Sequence, residues 1–277
     1  MLLGSATLTT LGGGQDFAGS ISGTGGLTKT GPDAMFLKSG GSFTYSGPTT
    51  VQQGYLIVDG TLANSPVTVN AGAFLEGTGS IASMGIYGTV NPGFATFPGI
   101  LNGGSASFIG GGNFSVHLNG TTPGSGYSKL FLTGTANLHV LFFSPSLTVS
   151  LGFTPAVGTS FTILEALGGI NGTFTGLADG AVFAVGSTEF QIHYTSTTVV
   201  LTRVALPANH FSVSAPASST TGSPFNITVT ALDQLNVTVP GYRGTVHFTS
   251  TDSQAMLPTI PSRQPTTACT PLRTASP

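Results

Sequence analysis

The chain has 277 residues, enough for one elongated domain and part of a second. Charged residues are only 6% of it, against about 25% in an average soluble domain, and the net charge is −2. Seven scattered Lys and Arg form no basic stripe and so exclude a nucleic-acid module, while the single cysteine, Cys269, excludes an internal disulfide and a cysteine-rich metal site.

Met1-Leu2-Leu3-Gly4-Ser5 has neither a basic nor a sustained apolar stretch, so it does not read as a signal peptide. No 18-residue apolar run follows, and no membrane insertion by this stretch is expected. Ala6-Thr7-Leu8-Thr9 and Ser20-Ile21-Ser22 read as strands, split by Gly12-Gly13-Gly14. Between Gly23 and Gly79 the unit is a short apolar strand, a glycine corner and another short strand. Thr49-Thr50-Val51 leads to Gly54, which supplies a bend because only glycine takes positive φ without a Cβ clash. Tyr55-Leu56-Ile57-Val58 then alternates, as do Val67-Thr68-Val69 and Phe74-Leu75-Glu76. Leu56, Val58, Val67, Val69, Leu75 and Ile81 are the expected inward positions. No 3.6-residue apolar period survives two turns, so helix is expected to be nearly absent. Irregular repeats of about 10 to 25 residues point to a solenoid rather than a closed barrel.

Specific residues carry a resemblance. Gly23, Gly25, Leu27-Thr28-Lys29 and Gly31 are followed by Thr44-Tyr45, Gly47, Thr49-Thr50-Val51, Gly54, Leu56 and Val58. This order is similar to the autotransporter-associated β-strand repeat, also called the passenger-associated transport repeat. Asp33 and Phe43 depart from it, standing where that family carries glycine and asparagine. The resemblance implies a right-handed parallel β-helix in a secreted or bacterial surface protein.

Asn91-Pro92-Gly93 and Phe97-Pro98-Gly99 are similar to the Pro-Gly pair that closes such repeats. Longer strands follow at Asn113–Leu118, Lys129–Leu132 and Leu147–Leu151. A Phe-rich cluster comes next, with Phe161, Phe174, Phe183 and Phe190, suited to covering an open solenoid end. Pro207 marks a boundary. The runs Pro224–Asp233 and Val239–Phe248 resemble the start of a bacterial immunoglobulin-like module, about half of the roughly 100 residues such a sandwich needs. Beyond Leu257 alternation stops, and 259–277 are expected to be disordered.

The glycine runs are not phosphate loops, because Gly23-Thr24-Gly25-Gly26 opens no helix. The acids Asp16, Asp33, Asp59, Glu76, Glu165, Asp179, Glu189, Asp233 and Asp252 occur singly and read as turn and solvating residues. A glycosidase would need two of them facing each other. The histidines His117, His139, His193, His210 and His247 have no metal-ligand spacing. No Gly-x-Ser-x-Gly supports a serine nucleophile. Sequons such as Asn113-Phe114-Ser115 read as chance matches in a Ser- and Thr-rich chain.

The expected architecture is all-β: a right-handed parallel β-helix with a β-rich cap and a partial immunoglobulin-like β-sandwich at the C-terminus. The expected division is repeats over 1–104, further coils and cap over 105–206, a partial immunoglobulin-like module over 207–258 and a tail over 259–277. The expected role is a non-enzymatic stalk or adhesin, secreted or on the bacterial surface, with glycans or host surface proteins as partners. No catalytic, metal or cofactor residue is assigned. The rival is a polysaccharide-acting β-helix enzyme, a lyase or hydrolase, which a groove shared by two acids and a basic residue would favour.

Overall fold

The computed structural model describes residues 14–140, 142–218, 220, 223, 225–239, 242–249 and 251, and the backbone strands Leu2–Leu3, Ala6–Thr9, Ala255–Met256 and Thr267–Thr274. The expected glycine turn at Gly12-Gly13 lies outside the described residues, as does most of the tail. The described chain is all-β and contains no helix. It divides into two compact units: residues 1–185 with 190–203, and residues 186–189 with 204–277.

The first unit is a stack of parallel coils. Leu27–Thr30, Thr49–Val51, Val67–Val69, Ser80–Ile86, Ile100–Phe108 and Lys129–Leu132 lie side by side in a long sheet. Ala34–Leu37, Tyr55–Val58, Phe74–Gly77, Thr89–Phe94, Asn113–Leu118 and Ser146–Leu151 form a second. A short third sheet joins Leu2–Leu3, Ser20–Gly23 and Ser42–Phe43. One inward row of the long sheet runs Leu27, Thr49, Val67, Met84, Ala106, Ala136 and Ile170, each paired with the next. Its coils span 22 residues (27 to 49), 18 (49 to 67), 17 (67 to 84), 22 (84 to 106), 30 (106 to 136) and 34 (136 to 170). Register is kept while loop length varies, because closing a longer loop costs little extra.

The expected inward residues Leu56, Val58, Val67, Val69, Leu75 and Ile81 are all at most 2% exposed. In the second sheet Met35, Leu56, Leu75, Val90 and Phe114 stack as one buried row. The hairpin expected to close the repeats pairs Gly93 with Pro98 and Phe94 with Phe97, and parallel coils continue beyond it. The parallel pattern ends at Ser160–Ala166, which pairs antiparallel with Thr198–Val204. Phe161, Phe174 and Phe190 fill the core there, linked edge-on with Tyr127 and Phe108.

The repeat residues have specific structural work. Lys29 is fully buried, and its ammonium donates to the carbonyls of Thr30, Gly31 and Gln53 at 2.8, 2.8 and 3.1 Å. Three donors meet three acceptors, so the buried cation is satisfied and ties one corner to the next coil. Tyr45, Thr49 and Ser65 form a buried hydroxyl chain ending on the Gly47 carbonyl. Ser65 spends its proton on Gly47, so Thr49 donates to Ser65 and Tyr45 donates to Thr49. Gly47 has no room for a Cβ, which would lie 2.3 Å from the Gly25 carbonyl carbon. Gly54 has φ +67° and packs where a Cβ would meet three carbonyl oxygens at 2.5–2.6 Å.

The second unit holds an antiparallel sheet in the order His210–Ser214, Phe225–Leu232, Thr267–Thr274, Ala255–Met256. Ile227, Val229 and Ala231 are buried on one face of the second of these strands, while Phe211 is 40% and Val213 61% exposed. Residues 242–249, within the run Val239–Phe248 that resembles an immunoglobulin-like module, carry no regular structure. Thr267–Thr274, expected to be disordered, instead pairs with Phe225–Leu232, whose edge would otherwise be open.

Candidate cleft on the second sheet

The outward face of the second sheet should be polar, since alternate residues leave the core. It is not uniformly so. Ile57, Glu76 and Asn91 occupy one outward row on successive coils and are 1%, 4% and 5% exposed. The hairpin following Asn91 covers them. Ala95 takes φ +51° at its tip, and Phe94 reaches Phe36 with ring centroids 5.4 Å apart. The neighbouring row stacks Tyr55 on Phe74 at 4.6 Å and 16°. The result is a cleft of about 500 Å³ with the Tyr55–Phe74 ridge and Phe94 among its walls. Glu76, Asn91, Asp33, Thr89 and Ser115 supply its polar lining.

Glu76 is held at both oxygens. Asn91 Nδ2 donates to Oε1 at 3.0 Å, and the Ala95 N–H donates to Oε2 at 3.2 Å. Asn91 Nδ2 also donates to the Ala95 carbonyl at 3.2 Å. Two acceptors on one side of the amide fix its orientation. Asn91 Oδ1 is left buried with no hydrogen-bond partner.

At one edge of this region His117 Nδ1 bonds the Ser150 hydroxyl of the next coil. Burial lowers the His117 pKa, while Glu76 and a backbone hydrogen bond with Ala95 oppose that shift. The imidazole is therefore neutral at neutral pH and can accept a proton from Ser150. Its remaining partner is the Ala95 backbone, whereas a serine triad places a carboxylate there.

The other acids are spread along the chain. Asp16 pairs with Lys38 at 3.6 Å, Glu165 with Lys129 at 2.6 Å and Asp179 with His193 at 2.7 Å. Asp59 accepts from Thr78. Asp233 closes a turn by accepting from the N–H groups of Leu235 and Val237. Asp252 lies outside the described residues. Asp233, though buried, is the turn residue expected. The reading of the acids as turn and solvating residues is corrected at Glu76 and Glu189, both 4% exposed and within strands. Asp33 and Glu76 line one cleft, and no Lys or Arg is among its lining residues. His139 and His247 join no such cluster: among the described residues no three His, Cys, Asp or Glu are grouped to hold a metal ion. The cleft escaped sequence reasoning because its floor comes from three coils and its cover from a hairpin. The available signal was Glu76, an acid inside an apolar strand, followed fifteen residues later by Asn91 (|i−j| = 15).

No family model matches the chain. Over 166 residues, 58% of this chain, it is 32% identical to a protein named extracellular serine protease from Serratia marcescens, of which the matched stretch covers 15%. A second Serratia marcescens protein of that name is 29% identical over 167 residues, again 58% of this chain and 15% of the relative. Over 89 residues, 30% of this chain, it is 40% identical to the adhesin BmaC autotransporter of Brucella suis biovar 1 (strain 1330), matching 2% of that protein. The chain thus spans a small part of each relative's length. The expectation of a non-enzymatic protein is corrected by these comparisons, because two of the relatives are named as proteases. The chain is similar to stretches of autotransporter passenger-type proteins, an adhesin and serine proteases among them.

Proposed function

We propose that this chain is a stretch of a bacterial passenger built as a right-handed parallel β-helix of autotransporter-associated repeats, acting as stalk and adhesive surface. The protein is secreted or carried on the cell surface, as its extracellular and autotransporter relatives are. The observation that carries the reading is the unbroken parallel register from Leu27 to Ile170. Continuous ladders of that kind hold a surface at a distance without a large globular core. Repeat coils occupy 1–104, further coils and a cap 105–206, and a partial immunoglobulin-like module begins at 207. Glycans or host surface proteins are the partners of its long sides. The test is immunolabelling of intact bacteria expressing the gene with its own flanking frame. Labelling without permeabilisation is expected, and label confined to the cytoplasm would contradict the reading.

A second reading is supported by one observation, the shared lining of one cleft by Asp33 and Glu76. It is a polysaccharide-acting enzyme, and it predicts release of new chain ends from pectin or alginate that stops in Glu76→Gln.

A further inference from the structure

The cleft between Tyr55–Phe74 and Phe94 combines aromatic walls with a buried polar floor. An outward row of the long sheet instead carries short hydroxyl and amide groups, as where Asn137 donates to Ser107 across one coil. Here aromatic rings stand as walls and a buried carboxylate and amide form the floor.

Two features of the floor decide what fits. First, Asn91 Oδ1 is a buried acceptor with no donor, and such a group is costly to leave unmade. The Glu76 and Ala95 bonds hold the amide, so turning it over would trade this orphan for two acceptor–acceptor contacts. Second, the ionisable side chains lining the cleft are carboxyls, Asp33 and Glu76, with a phenol at Tyr55. An anionic ligand would meet like charge, and no Lys or Arg lines the cleft to offset it. A matching ligand is uncharged, rich in hydroxyl donors, and has a flat apolar face for the rings. The cleft volume, about 500 Å³, lies within the range for small-molecule sites.

We infer that this cleft binds a neutral sugar unit of a glycan, stacked on the aromatic walls with a hydroxyl donating to Asn91 Oδ1. Asn91 Oδ1 is buried, so binding requires a rim side chain such as Phe94, 42% exposed, to move aside as the hydroxyl reaches that atom. The inference rests on the adhesive reading above and gives it a ligand class and a place.

The test uses the purified full chain and saturation-transfer NMR with lactose, cellotriose and chitotriose as neutral probes, and sialyllactose and trigalacturonate as anionic ones. At least one neutral probe should bind at millimolar concentration or better, and the anionic ones more weakly than it. Tyr55→Ala removes a wall at a 37% exposed position and should weaken binding at least tenfold without lowering the melting temperature appreciably. Tyr87→Ala, at a tyrosine 43% exposed and outside the cleft lining, should leave binding unchanged. Three results overturn the inference: no neutral sugar bound, anionic sugars preferred, or equal binding by wild type and Tyr55→Ala. Surface labelling is read separately, so failure here leaves the passenger reading standing, and the reverse holds too.

Discussion

At the scale of single residues, the buried polar groups Lys29, Tyr45, Thr49 and Ser65 are internal fastenings rather than surface chemistry. Lys29 illustrates this: its ammonium is committed to three carbonyls, and burial pushes its pKa down while Asp33 pulls it up. Lys29→Ala strands those acceptors and should cost about 2–5 kcal/mol, read from the urea midpoint. An unchanged midpoint would remove Lys29 from the list of fastenings. His117 makes a pH prediction. Its folded pKa lies below the ordinary value, so the unfolded chain binds the extra proton first as pH falls. The neutral ring costs nothing above about pH 6.5, and stability should drop as pH falls from there to the folded pKa. His117→Asn should flatten that part of a melting-temperature profile, whereas a parallel profile would show that His117 does not titrate there. Sequence alone placed Lys29, Tyr45 and Thr49 in a pattern but gave no reason for them. Their bonds run to Gln53 and Ser65, on neighbouring segments that only the coil geometry brings near.

At the scale of elements, the strands were legible because alternation and glycine corners are local. Tyr55–Val58 and Asn113–Leu118 stand where the period of two puts them. What was not legible was the outward row of the second sheet. Ile57 and Glu76 alternate correctly yet are buried, because the Phe94–Ala95 hairpin folds back over them. A hairpin's cover is a tertiary fact with no local sign. Residues 242–249 carry no regular structure, since an alternating run becomes a strand only beside a partner. Corners give the sharpest test at this scale. Gly54→Ala puts a methyl within 2.6 Å of three carbonyl oxygens at positive φ. It should cost about 2–4 kcal/mol of unfolding free energy. A loss of a few tenths would mean that the corner relaxes freely.

At the largest scale, the first unit is a ladder whose rungs keep register while coils grow from 17 residues (67 to 84) to 34 (136 to 170). The ordered run of residues from Gly23 to Val58 pointed to this. Two of the similar proteins are named extracellular serine proteases, so a stretch similar to this one occurs in such proteins, which composition could not have told. Register is the central claim, and spin-label distances measure it. The outward row Thr28, Thr50, Thr68, Gly85, Ser107, Asn137, Asn171 is continuous. In a Cys269→Ser background, labels at Thr28 and Ser107 span four rungs, and labels at Thr28 and Asn171 span six. At about 4.8 Å per strand the two distances should be roughly 19 and 29 Å, set by rungs and not by sequence separation. Distances that fail to grow from the first pair to the second, or that scatter broadly, would contradict the parallel stack.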